Sequence, residues 1–311
     1  MKWQRTDVLG LEDMSKDEIR HILHTAKAMK EILMRPVKKL PTLKGKSVVN
    51  IFYESSTRTR TSFEVAAKIL GADSTSLAVA QSSVNKGESL YDTARTIQAM
   101  RADIVILRHQ SSGAAQFLAD ILDPGIINAG DGQHEHPTQA LLDIFTMEEK
   151  LGELEGKNVV LVGDILHSRV ARSNSWGLQK LGVNVTLVGP PTLLPPEMAF
   201  LGVGMSHDLD SVLPGADVVM PLRLQLERQE KGLFPSIREY SQVYGLTTER
   251  LKKTGKPSLV LHPGPMNRDV EISSEVADGT QSVIERQVTN GVAVRMALIY
   301  LMMGGSSNVV D

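Results

Sequence analysis

A chain of 311 residues with 41% hydrophobic and 23% charged residues is long enough for a large core, and the size prior is about two domains of ~150 residues each. Its 34 basic and 36 acidic residues leave a net charge of -2, so nothing in the balance points to nucleic acid or an anionic membrane as a partner. The absence of cysteine excludes disulfides, thiolate nucleophiles and cysteine-ligated metal, and no stretch reads as a signal peptide or reaches the ~18 apolar residues of a membrane span, so a soluble cytoplasmic protein is expected.

The first element is a helix within Leu11 to Leu33, with Ile19, Ile22, Leu23, Ala26 and Met29 at helical spacing. Ser15 followed three residues on by Glu18 forms a capping-box pattern at its start, and Pro36 and Pro41 close it. Ser47 to Tyr53 is short, apolar and β-branched, a buried strand. Directly after it, Phe63, Ala66, Ala67 and Leu70 share a helical face that Gly71 terminates.

Between that strand and helix lies Ser55, Ser56, Thr57, Arg58, Thr59, Arg60. Hydroxyls and guanidinium groups at a helix N-terminus, where unpaired N–H groups and the positive dipole end favour an anion, are the components of a phosphate cradle. A serine N-cap with a solvated first turn is the plain alternative, but two arginines there oppose the dipole, which prefers acidic residues. An arrangement that costs stability invites a functional reason.

Further on, Ser74 to Ala80 reads as a strand, Gln81 to Gly87 as a polar loop, and Glu88 to Met100 as a helix. A strand over Asp103 to Leu107, a helix over Gly113 to Leu122 and a strand over Gly125 to Ala129 follow, and alternation of this kind implies a parallel sheet covered on both faces. Ligands of such sheets bind at the carboxyl ends of strands, where Ser56 to Thr59, Arg108 and the polar run Asp131 to His136 all fall. Pro137 opens a helix to about Leu151 that leads out of the first domain.

The pattern then repeats: Leu43, Gly45, Lys46, Val48, Val49 is echoed by Leu154, Gly156, Lys157, Val159, Val160. Arg58 and Arg169 stand at matching places in the two copies, each where a strand turns into a helix. Strands over Lys157 to Val162, Val183 to Val188, Asp217 to Leu222 and Ser258 to Leu261 complete the second half, with a helix over Ser168 to Leu181. Val160 to Asp164, VLVGD, resembles the start of a dinucleotide fold, yet no GxGxxG follows it, which argues against a nicotinamide site. His262, Pro263, Gly264, Pro265 forms an irregular turn after the last strand, and Gln281 to Met303 is a long closing helix. The expected fold class is α/β, with two doubly wound parallel-sheet domains, residues 1–150 and 151–280, and a C-terminal helix of about 281–311 packing back on the first domain.

Three segments, FYESSTRTR (Phe52 to Arg60), HPTQALLDIF (His136 to Phe145) and HPGPMNR (His262 to Arg268), taken together and in this order, resemble the aspartate/ornithine carbamoyltransferase family over nearly the whole chain. The aspartate branch fits better. The ornithine branch characteristically carries a cysteine in the turn where this chain has Gly264 and Pro265. The resemblance implies carbamoyl transfer from carbamoyl phosphate to L-aspartate, in pyrimidine biosynthesis, with no cofactor and no metal. Transfer to ornithine or another amine, or a non-catalytic scaffold that binds a phosphorylated metabolite, remains as an alternative.

The resemblance assigns carbamoyl phosphate to Ser56, Thr57, Arg58, Thr59, Arg108, His136 and Gln139, with Arg58, Thr59, Arg108 and His136 catalytic. It assigns aspartate to Lys86, Arg169, Arg223, Gln225, Gly264 and Pro265, and implies a cis peptide before Pro265. Ser82 and Lys86 are implied to come from a neighbouring subunit, which makes a homotrimer with shared sites the expected unit. Glu54 and Arg228 are expected to form ion pairs when the domains close. A larger assembly with regulatory chains or with dihydroorotase is left open, and neither nucleic acid nor membrane is an expected partner.

Overall fold

The protein is described from a computed structural model over residues 3–77, 88–225 and 236–305. It divides into two compact units, Met1–Leu142 with Thr289–Asp311, and Asp143–Val288.

The first unit runs α1 (Lys16–Leu33), β1 (Ser47–Phe52), α2 (Thr57–Leu70), β2 (Asp73–Leu77), α3 (Leu90–Ala99), β3 (Ile104–His109), α4 (Ala114–Ile121) and β4 (Gly125–Asp131), and enters α5 (Pro137–Leu151). Its parallel sheet has the order β2-β1-β3-β4. The apolar, β-branched runs of β1, β3 and β4 are buried almost throughout because helices cover both faces. Ile51, Val105, Leu107, Ile97 and Leu118 belong to one core cluster there. β2 is the exposed edge; its sequence, DSTSL, is polar, which suits an edge strand.

The second unit contains β5 (Asn158–Val162), α6 (Arg169–Lys180), β6 (Asn184–Val188), β7 (Gly204–Ser206), β8 (Val218–Pro221) and β9 (Leu259–Val260) in the parallel order β7-β6-β5-β8-β9. Val160, Val162, Val188, Val219 and Tyr240 lie in its core. Sequence periodicity did not reveal β7, a three-residue edge strand, nor the short helices Ile237–Tyr244, Thr248–Lys252 and Ser274–Ala277, all too brief to show a period. The C-terminal helix (Ile284–Met302) is shorter than expected at its start, and its residues from Thr289 onward group with the first unit. There Arg295 donates to Ser62 Oγ on α2 at 2.7 Å and lies over the Phe63 ring at 5.0 Å.

The sequence echo has a structural counterpart. Asp103, just before β3, accepts from Ser47 N at 2.9 Å and from Lys46 Nζ at 2.9 Å. Asp217, just before β8, accepts from Asn158 N at 2.8 Å and from Lys256 Nζ at 2.6 Å. Each carboxylate thus holds the first residue of the neighbouring central strand and sets its register. Burial alone would raise both carboxyl pKa values, but the backbone N–H and the lysine outweigh it and hold each below the ordinary range.

Two predictions follow from these contacts. At α1 the Ser15 hydroxyl accepts from Glu18 N and the Glu18 carboxylate accepts from Ser15 N, so Ser15→Ala should cost about 1 kcal/mol in urea unfolding. A depressed carboxylate contributes stability that is full above its unfolded pKa of ~3.9 and is lost as pH falls through the lower folded value. An Asp103→Asn/Asp217→Asn variant should therefore be less stable than the parent at pH 7, with the gap in urea midpoints narrowing toward pH 3.

Candidate active site

In the first unit the chain leaves β1, builds β2 on one side, then returns to build β3 on the other, so β1 and β3 flank the point where strand order reverses. Crevices of this kind open at the carboxyl ends of the strands. Phe52, the last residue of β1, is paired in register with Arg108 near the end of β3, and Tyr53 N donates to the Arg108 carbonyl at 2.9 Å. The loop into α2 and the Arg108 side chain therefore leave the sheet side by side.

α2 begins at Thr57 with Ser56 as N-cap, and the Ser56 hydroxyl makes no capping bond, whereas Ser168 at the start of α6 accepts from Ala171 N. No acidic residue occupies the first turn of α2. Thr59 is buried, while Thr57 and Arg58 are exposed on the same turn. Arg108 reaches Glu54 Oε2 at 3.3 Å and donates to the Ala129 carbonyl at 3.2 Å, which ties it to both flanking segments. Glu54, expected to pair during domain closure, here partners Arg108.

β4 lies next to β3 and delivers His136 and Gln139, the third part of this half-site. Both are buried, and the His136 carbonyl accepts from Gln139 N at 3.0 Å in the first turn of α5. A buried polar network shapes the loop before them. Asp131 accepts from Gly113 N at 2.7 Å and from Asn128 Nδ2 at 2.8 Å, and lies 3.2 Å from His134 Nδ1. Burial would raise the Asp131 carboxyl, but His134 and Asn128 outweigh it and lower it; in turn the hydrogen bond to Asp131 raises the His134 imidazole.

Glu135, also buried, accepts from Leu11 N and Glu12 N and so anchors the segment before α1. Glu12, His134 and Glu135 place ligand-capable atoms within 4.8 Å of one another. Both Glu135 oxygens lie on backbone N–H groups and His134 Nδ1 lies on Asp131, so these groups anchor the segment before α1.

The second unit repeats the plan. Its order reverses between β5 and β8, with β9 beside β8. After β5, Gly163 adopts φ +138, and a Cβ there would stand 2.9 Å from Tyr240 Oη and 3.0 Å from the Leu222 carbonyl, so glycine is required. Asp164 is fully buried, lies 2.8 Å from His167 Nδ1, and accepts from Gln225 N at 3.4 Å, linking the exits of β5 and β8. Arg169 is buried at the first position of α6, and Arg223 and Gln225 follow β8 half-buried.

After β9 comes His262 to Pro265, whose Gly264–Pro265 bond is cis, as expected. Each half-site is thus delivered by three neighbouring strands: β1, β3 and β4 in one unit, β5, β8 and β9 in the other. The expected residues Ser82, Lys86 and Arg228 lie outside the described residues. Sequence reasoning put Asp131 and Glu135 in a polar run at the strand ends without giving either a role, and gave none to Asp164, Glu271 or Asp143; a buried acid has no periodic signal, although a histidine stands three residues after both Asp131 and Asp164.

Residues 6–149 match the aspartate/ornithine carbamoyltransferase carbamoyl-P binding domain, and residues 155–302 match the Asp/Orn binding domain of the same family. The chain is 68% identical over 312 residues, covering 100% of each, to an aspartate carbamoyltransferase catalytic subunit of Desulfitobacterium hafniense. It is 60% identical over 307 residues to one of Moorella thermoacetica, covering 99% of this chain and 100% of the relative. Its fold is similar to that of aspartate transcarbamoylase from Trypanosoma cruzi solved with carbamoyl aspartate and phosphate, at TM-score 0.86 and 31% identity over 96% of this chain and 95% of the other. Ornithine carbamoyltransferase from Pyrococcus furiosus is similar at TM-score 0.85 and 30% identity, covering 96% and 97%. With both halves matched by its domains, this chain belongs to the aspartate/ornithine carbamoyltransferase family.

Proposed function

We propose that the protein transfers the carbamoyl group of carbamoyl phosphate to the amine of L-aspartate, giving N-carbamoyl-L-aspartate and phosphate. The observation that carries this reading is the N-terminus of α2, whose first turn holds hydroxyls and Arg58 and no acidic residue, with Arg108 one strand away. A dianionic phosphate suits that place, since N–H groups, the helix dipole and a guanidinium all favour it. Ser56, Thr57, Arg58, Thr59 and Arg108 are assigned to the phosphate, and Gln139 to the carbamoyl amide.

Thr59, Arg108 and His136 are assigned to the carbonyl oxygen, which becomes an oxyanion as the amine attacks. Donors held in advance at such an oxygen are worth about 3 to 4 kcal/mol each in the transition state. The new C–N bond forms as the C–O bond to phosphate breaks, and the departing phosphate accepts the amine proton. None of the assigned side chains has to act as a nucleophile, so transfer is direct.

Aspartate is assigned to the second unit, where Arg169 and Arg223 suit two carboxylates and Gln225 assists. Gly264 and Pro265 are assigned to the amine. Lys86 with Ser82, reaching in from a neighbouring chain, completes the aspartate site in this reading, so the working unit is a homotrimer acting in the cytoplasm on the pyrimidine route. The similarity to catalytic subunits of aspartate carbamoyltransferase supports the choice of aspartate over ornithine.

The test is product formation from carbamoyl phosphate with L-aspartate or, separately, with L-ornithine. Ureido product should form from aspartate alone, and Arg58→Ala should lower kcat/KM by roughly a hundredfold to a thousandfold; product from ornithine alone would reverse the assignment of Arg223 and Gln225. Arg223→Ala should raise the aspartate KM while leaving carbamoyl phosphate binding unchanged. Light scattering should give the mass of three chains of 34.0 kDa, and a fully active monomer would remove the shared-site reading.

A further inference from the structure

The turn after β9 is held by a buried pair that takes part in no assigned substrate contact. His262 is 2% exposed and Glu271 is 1% exposed. Gly264 N donates to His262 Nδ1 at 2.8 Å, so that nitrogen carries no proton. The ring proton of a neutral imidazole must then sit on Nε2, which lies 3.2 Å from Glu271 Oε1 and donates to it. The same oxygen accepts from Asn267 N at 2.6 Å, while the buried Oε2 has no hydrogen-bond partner. One carboxylate oxygen therefore grips the turn from both sides, through a ring before it and a backbone N–H after it.

This arrangement decides what the turn can offer a ligand. The His262 N–H is used on Gln287 Oε1 at 2.9 Å, the Gly264 N–H on His262 Nδ1, and Pro263 and Pro265 have none. His262 to Pro265 thus has no backbone N–H left to give. What remains is carbonyl oxygen, the complement of an amine or ammonium donor and a poor neighbour for a carboxylate. If the ring proton moved to Nδ1, the Gly264 N–H would lose its acceptor and become available, and the turn would change from acceptor to donor.

We propose that Glu271 is a positioning residue that locks His262 as its Nε2–H tautomer and so keeps the Gly264–Pro265 turn an acceptor surface for the amine-bearing substrate. This rests on the assignment of that substrate to the turn. Glu271 touches no substrate itself; it acts through His262 and Asn267. The anchor continues inward, since Gln287 Nε2 donates to Asp143 Oδ1 at 2.7 Å and Asn174 Nδ2 donates to Asp143 Oδ2 at 2.9 Å.

Two measurements test it. Imidazole 15N shifts of the whole protein, with the His262 signal identified by its loss in His262→Asn, should show a protonated Nε2 and an unprotonated Nδ1, and should shift toward a tautomer mixture in Glu271→Ala. In steady-state kinetics Glu271→Ala should raise the KM for aspartate tenfold or more, with the carbamoyl phosphate KM within twofold of the parent. Glu271→Gln, whose amide oxygen can replace Oε1, should recover most of that loss. Parent His262 protonated at Nδ1 would overturn the proposal, as would equal rises in both KM values or an unchanged aspartate KM in folded Glu271→Ala. Should the parent not turn over aspartate at all, the functional assignment fails, whereas the tautomer measurement still decides the lock; should Glu271→Ala not fold, the parent tautomer and the Glu271→Gln KM ratio decide it.

Discussion

A carboxylate placed one residue before a strand, accepting the first backbone N–H of the strand beside it, sets the geometry on which both halves of this protein depend. Asp103 does this for β1 and β3, and Asp217 for β5 and β8. In a parallel sheet, the register at the amino edge fixes which residues emerge together at the carboxyl edge, several residues and about 3.3 Å per residue away. A slip of one position would turn every side chain of a strand to the other face. Because Ser47 is held opposite Asp103, Phe52 meets Arg108, and the α2 loop and the arginine leave the sheet together. The lysine beside each aspartate is partly exposed and adds little by itself. The bond to the backbone N–H is what constrains the register.

That constraint lets the sheet carry an unfavourable charge pattern at its rim. Arg58 and Arg60 sit at the positive end of α2, where acidic residues are the stabilising choice. Part of the cost is offset locally, since Arg60 Nε lies 3.8 Å from Glu64 Oε1 and Arg108 pairs with Glu54. The rest of the support comes from a distance in the chain. Arg295 of the C-terminal helix bonds Ser62 on α2 at 2.7 Å and Thr138 on α5 at 3.4 Å, joining the two helices. Packed against Phe63, this buried guanidinium holds both helices while exposing no charge of its own.

The two half-sites use the same topology for different chemistry. In the first unit the strand exits carry hydroxyls, guanidinium and an imidazole, all able to donate, which on the proposed reading suits a substrate rich in acceptors. In the second, arginines after β5 and β8 are donors, while the turn after β9, with its N–H groups all used, is an acceptor. A substrate with two carboxylates and an amine needs that mixture. The fold is similar to solved structures of both branches of the family, so the architecture does not by itself choose the amine.

Much of this was written in the sequence. The strands β1, β3, β4, β5 and β6 are largely apolar, β-branched runs, legible because burial on both faces favours such residues, although Asn50 in β1 and Asn128 in β4 are buried polar positions within them. Ser15 and Glu18 announced α1, and the glycine and proline punctuation bounded the helices. Through the family resemblance, three short motifs implied roles for Ser56 to Thr59, His136 and Gln139 and a cis Gly264–Pro265 bond, and that bond is cis. Strand order, by contrast, is a non-local property: that β1 lies between β2 and β3, and β5 between β6 and β8, follows from packing and not from any run of residues. The same holds for the partners of buried charges. Asp143 with Gln287 and Glu135 with Leu11 are separated widely in the chain, Glu271 meets His262 across a folded turn, and an acid that finds its donor only after folding leaves no mark in hydrophobic periodicity. Local chemistry determined which groups this protein can offer a substrate; the tertiary structure decided which of them stand together, because only a packed sheet brings distant segments to one edge.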